Sequence, residues 1–126
     1  MKSLPFWFMF LATLFALGGM AWGIQMSISQ DHTLAGAHAH NNLIGFVTMT
    51  IYGVYYRLVP AASTTRLALV HFWIAFLGAL TFGAGVALAI LGTTEILAVI
   101  SSLLTIVAML IFVWTVWSNR AGLTNG

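Results

Sequence analysis

Ala35-Gly36-Ala37-His38-Ala39-His40-Asn41-Asn42-Leu43-Ile44-Gly45-Phe46 sets two histidines one residue apart in a stretch otherwise apolar enough to cross a membrane. Ionisable side chains are costly in such segments and mark functional positions. On a helix, neighbours at i and i+2 are rotated by about 200° and point to opposite flanks. Both rings do not readily grip one metal ion, whereas two sites, one on each flank, can be served by a single helix. The spacing therefore suggests haem ligation by His38 and His40 rather than a chelated ion.

Around that stretch, the composition fixes the environment. Of 126 residues, 61% are hydrophobic and 5% are charged, and the mean hydropathy is +1.03. A soluble domain of this length has too little interior to hide so much apolar surface. The class is an all-α integral membrane protein in contact with the lipid bilayer. Cysteine is absent, which excludes disulfides, iron–sulfur clusters, thiolate zinc sites and covalent c-type haem. The basic pI of about 9.5 reflects four Lys/Arg against two acids, with no basic face for nucleic acid.

Four apolar spans are expected, at 5–23, 34–59, 67–91 and 96–117, forming one transmembrane domain. The first follows Lys2 and opens on Phe6, Trp7, Phe8 and Phe10. It is long enough to span, and Gly-Gly-Met-Ala-Trp-Gly makes a poor signal-cleavage site, so a retained helix is expected. Gly18, Gly19 and Gly23 would admit a close neighbour. Gln25 to Thr33 reads as a polar loop that caps the next helix. The second span closes on Tyr55-Tyr56-Arg57 and Pro60, an interfacial anchor with a proline stop. His71-Phe72-Trp73 opens the third, where His71 reads chiefly as an interfacial anchor or an inter-helix hydrogen bond. The fourth is plain Leu/Ile/Val and reads as lipid-facing scaffold. Trp22 fits an outer aromatic belt, and Gly36, Gly45 and Gly53 suit either close helix packing or a flat macrocycle.

Lys2, Arg57, Arg66 and Arg120 fall on one side of this arrangement, and Asp31 and Glu95 on the other. The positive-inside rule puts both termini in the cytoplasm of a bacterial inner membrane. His38 and His40 then lie in the outer half, and His71 toward the inner face.

Spans two and three resemble subunit I of the haem–copper oxidases. The likeness rests on Ala37-His38-Ala39-His40, a Gly-punctuated helix with an aromatic end, a short polar loop, and Val70-His71-Phe72-Trp73 running on to Gly78 and Leu80-Thr81-Phe82. In that family a His-x-His pair near the outer face ligates two haems, the first histidine the high-spin and the second the low-spin one. The resemblance implies non-covalent b-type haem held by His38 and His40, in a protein of electron transfer or of gas binding and sensing. Asn42 or a backbone carbonyl would orient a ring nitrogen, and His32 would contact a propionate.

The chain departs from the family in several respects. It has four spans against twelve, no further copper-ligating histidines and no outer-side arginine pair. Copper and independent oxygen-reductase activity are therefore not expected. The family's helices form three arcs of four with pseudo-threefold symmetry, so a homotrimer of this chain would rebuild the whole, with haem between protomers. An electron-transfer partner or oxidase subunits would complete the assembly. Two further readings stand beside this one. The first is a cofactor-free scaffold or oxidase assembly partner. The second is a zinc or copper site where His38 or His40 side chains converge between chains, with His71 the weakest candidate ligand.

Overall fold

The computed structural model describes residues 3–125, which are helical almost throughout. In chain order they form α1 (Leu4–Ser29), α2 (Ala35–His40), a π-helical segment (Asn41–Thr48), α3 (Met49–Leu58), α4 (Pro60–Ser63), α5 (Arg66–Ile90), α6 (Ile96–Ser118) and α7 (Ala121–Thr124). Helices α1, α5 and α6 are each long and apolar enough to cross a membrane. α2, the π segment and α3 follow one another without a break, as one helix with a widened middle.

Helix ends follow local chemistry. α1 runs past the expected limit at Gly23 to Ser29, with Met26 buried and Gln25, Ser27 and Ser29 exposed. It stops at Gln30, the one non-glycine with positive φ (56°) among the described residues. Most of the supposed loop 25–33 is therefore helix. In the short turn that remains, Asp31 Oδ1 accepts from the Thr33 amide (3.0 Å) and the Thr33 hydroxyl (2.6 Å). These bonds brace the turn rather than cap α2, whose N-cap Leu34 has no side-chain bond. Thr33's hydroxyl, and then its amide, hold the Asp31 carboxyl below its ordinary 3.8. Thr65 Oγ1 caps α5 by accepting from the Ala68 amide at 3.1 Å. Gly92, with φ of 73°, ends α5. The Thr93 amide reaches back to Leu88 O at 3.0 Å and the Gly92 amide to Ala89 O at 3.1 Å, the paired bonds of a Schellman stop.

The long elements pack in sequence order. α1 lies against the π segment and α3, that composite helix lies against α5, and α5 lies against α6. α6 is more than scaffold, for Ser101, Ala108 and Thr115 form a buried stripe at every seventh position. Facing it, a Cβ on Gly85 would stand 2.8 Å from the Ala98 nitrogen, and one on Gly78 would stand 3.2 Å from Thr105 Oγ1. Small residues on both helices let the backbones approach, the usual means of helix association in lipid.

The core sits toward one end, where Leu4 and Phe8 of α1 meet Tyr52, Tyr55 and Tyr56 of α3 and Phe72 of α5. Tyr55 and Tyr56 are buried in this core rather than placed in an interfacial belt. Arg57, Arg66 and Arg120 mark this end of the helices, and Asp31 and Glu95 the other. Lys2 lies outside the described residues.

Candidate functional site

The helix that carries His38 and His40 is held on both sides. Toward α1, Gly19 has no room for a side chain, because a Cβ there would overlap Asn42 Oδ1. Gly23 faces the His38 ring at 3.4 Å, whereas Gly18 has nothing within 4 Å and points away. Gly45 and Gly53 seat the composite helix against Phe15 and against Met9 with Phe8, so α1 fills the space that a macrocycle would need there. Toward α5, Gly83 accommodates Asn41 at 3.2 Å.

Within that frame the two histidines do point to opposite sides. His38 is half-buried and turned to α1, with its Nε2 2.9 Å from Gly19 O and its ring edge-on to Trp22 at 5.8 Å. A carbonyl only accepts, so Nε2 carries the proton and donates. Asn42 Nδ2 lies 3.2 Å from the same nitrogen, and that contact is satisfied when the amide turns its oxygen to the ring. His40 is exposed and turned to α5, stacked on Phe82 at 5.2 Å with 9° between the planes. Its Nδ1 lies 2.7 Å from Gly36 O, one turn back. By the same reasoning Nδ1 is the protonated nitrogen, and Nε2 keeps its lone pair on an exposed ring.

These two environments suit different chemistry. A ring whose far nitrogen is committed to a backbone carbonyl has its tautomer and orientation fixed for metal ligation by Nε2. His40 meets that description. In His38, Nε2 is the committed atom, and ligation through it would require exchanging the Gly19 bond for the metal. His32 is exposed in the turn, and Asn42 serves His38. Among the described residues no group of three or more His, Cys, Asp or Glu is placed to hold a metal ion.

His71 stands apart from this pair and, of the two readings its position suggested, makes the inter-helix hydrogen bond and is not an interfacial anchor. It is fully buried in the core among Phe8, Tyr52, Tyr56 and Phe112, with ring centroids 4.4 to 5.9 Å away. Nδ1 hydrogen-bonds with the Tyr56 hydroxyl at 2.8 Å. Its Nε2 and the Tyr52 hydroxyl are buried without a protein partner. Tyr52 was not singled out from sequence and Tyr56 was read only as part of an interfacial anchor, although their i, i+4 spacing places them on one helix face.

The π segment was also unforeseen. It begins at the residue after His40 and ends at Thr48, whose Oγ1 donates to Leu43 O, five residues back, at 2.8 Å. Such widened turns are rare and recur at functional sites. Asn41, Asn42 and Gly45, all weak helix formers, were the only hint in the sequence.

Fold and site together define a helical protein of membrane character, with a histidine cluster at one end and an aromatic core with a buried histidine at the other. Comparison with protein-family models, with curated proteins and with solved structures gives no match.

Proposed function

We propose that this chain is a four-span membrane protein of the bacterial inner membrane, akin to oxidase subunit I, that binds b-type haem with His40 as an iron ligand. The observation that carries the reading is His40 itself, with Nδ1 fixed to Gly36 O and the ring exposed. The composite helix supplies the fourth span, and the split of Arg57, Arg66 and Arg120 from Asp31 and Glu95 favours cytoplasmic termini.

One chain offers half an enclosure. An exposed imidazole at membrane depth calls for a second surface, and a homotrimer would supply it. The sequence-order packing of α1, composite helix, α5 and α6 suits one arc of such a ring. Haem bound there supplies one-electron transfer when six-coordinate, or gas binding when a position stays open. The chain's own part is orientation. Gly36 O sets the His40 tautomer, Phe82 sets its plane, and Asn42 with Gly19 O holds His38 against α1.

Absorption spectra of the detergent-purified protein, oxidised and dithionite-reduced, with a pyridine haemochrome, test this. Wild type should show protohaem, and His40→Ala should lose it. Loss from His38→Ala as well would mean bis-histidine ligation between protomers, whereas retention would mean a single histidine ligand and a working model of gas binding. Colourless wild type, expressed with ample haem, would overturn the proposal. A cofactor-free scaffold or oxidase assembly partner is then the reading that remains. It is favoured by the bond of His38 to Gly19 O, a polar contact between helices of the kind by which membrane helices associate.

A further inference from the structure

An open groove of about 500 Å³ runs between the start of α1 and the last turns of α3. Ser3 and Leu58 mark its outer end, and Met9 and Gly53 its inner end. From Ser3 to Met9 the helix rises by about 9 Å. The walls are apolar, and Phe6, Met9, Val54 and Leu58 all stay exposed along it. The two helices close at its floor, where a Cβ on Gly53 would stand 2.9 Å from Met9 Cγ. A strip of this kind at the end of a membrane helix faces lipid.

One charge interrupts the apolar lining. Arg57 follows Val54 by three residues and Gly53 by four, which puts it on the same helix face and one turn nearer the end. It is exposed, and its flexible stem lets the guanidinium reach headgroup level while the methylenes lie along apolar surface. No acidic side chain neutralises it at this end. The chain has two acids, Asp31 and Glu95, and both are at the far end of the helices. Other grooves lack this combination. Those between α1 and α5 are lined by aliphatic and aromatic residues alone. The one between α5 and α6 carries Glu95, which would repel phosphate.

We propose that the groove between α1 and α3 binds one anionic phospholipid, with its phosphate on Arg57 and the first part of an acyl chain against Phe6, Met9, Val54 and Leu58. A guanidinium meets a phosphate with two parallel N–H donors. In a zwitterionic lipid the choline offsets the phosphate charge, so the site distinguishes the two kinds of headgroup. Basic pockets beside membrane helices hold anionic lipids on the same grounds. The inference rests on the membrane-spanning build alone, and haem retention does not bear on it.

Lipid binding to the detergent-purified full chain is measured by native mass spectrometry, in micelles carrying phosphatidylglycerol or phosphatidylcholine with the same acyl chains. Wild type should hold one phosphatidylglycerol per chain roughly fivefold more tightly than phosphatidylcholine. Arg57→Gln should remove that preference. Arg66→Gln takes the same charge from the same end but outside the groove, and should keep it. Val54→Trp fills the groove and should weaken both lipids. Glycerophosphoglycerol, the headgroup without chains, should fail to displace the bound lipid. The two arginine variants change exposed positions and carry the test if Val54→Trp yields no folded protein. Equal binding of the two lipids by wild type, or equal loss in Arg57→Gln and Arg66→Gln, would overturn the proposal. So would displacement by glycerophosphoglycerol, which would mean an anion site without an acyl groove. An oligomeric wild type that binds no lipid, its groove taken by a second copy, would overturn it as well.

Discussion

The approach of α5 to α6 at Gly85 can be tested by adding one methyl group. In Gly85→Ala the new Cβ would stand 2.8 Å from the Ala98 nitrogen, 2.9 Å from the Leu97 carbonyl carbon and 3.0 Å from the Ala98 Cα. All three are backbone atoms, so no side chain can swing away. Ordinary contact begins at 3.4 Å, which leaves a shortfall of about 0.6 Å for helix separation to absorb. Forcing an extra methyl into a packed seam costs about 1–3 kcal/mol. Replacing glycine by alanine within a helix returns about 1 kcal/mol. The net expectation is a loss of about 0–2 kcal/mol. Gly18→Ala is the matched control, since a Cβ there meets nothing within 4 Å, and it should gain about 1 kcal/mol. Both variants are measured by reversible unfolding in mixed micelles, and the informative quantity is their difference, about 1–3 kcal/mol in favour of Gly18→Ala. Equal stabilisation by the two substitutions would refute the close approach and, with it, the small-residue seam formed with Ser101, Ala108 and Thr115.

Two further outcomes follow from the buried and looped polar groups. Tyr56→Phe strips His71 Nδ1 of its partner and should cost about 1–3 kcal/mol in the same unfolding assay. His71→Phe should cost a similar amount by isolating the Tyr56 hydroxyl, and the double change to phenylalanine should recover much of the loss. At the other end, the Asp31 side-chain carboxyl carbon, followed by NMR, should titrate with a midpoint below 3.8. The folded value is depressed, so the stabilisation of the Asp31–Thr33 turn is fully present above the ordinary carboxylate range. It is lost as pH falls through the folded value. Thr33→Ala should bring the midpoint back up.

The helical build and the membrane character were legible because they depend on summed properties, namely hydropathy over long windows and the rarity of charge. The end of α1 was misplaced because polar residues at 25, 27 and 29 read as a loop, whereas the helix simply carries them exposed around a buried Met26. His38 and His40 were legible as residues that face apart, since that follows from helical rotation alone. A backbone carbonyl or Asn42 was expected beside a ring nitrogen, but which neighbours each ring meets was not legible, because Gly19 O and Phe82 come from other helices. For His71 the inter-helix bond was one of two readings, and the depth of its burial was missed for the same reason. Its position near a helix start suggests an interface, but the aromatic rings of α1, α3 and α6 close over it. The seam on α6 was hidden among Leu, Ile and Val, and only a count by sevens brings out Ser101, Ala108 and Thr115.

The widened segment also governs angular phase. An α-helix advances about 100° per residue, and a turn closed five residues back holds one residue more than the α pattern does. Residues before Asn41 are therefore set round the helix axis at an angle to those after Thr48 that plain α geometry would not give. Deleting one residue between them would take up the extra residue and leave the two halves in phase, whereas straightening the segment with every residue kept would swing one half against the other by about 100°. Tyr52 and Tyr56 could then keep their places in the core only if His40 left Phe82, and His38 could keep α1 only if the tyrosines left His71. The segment works as a coupling with a fixed twist between two ends that face different neighbours.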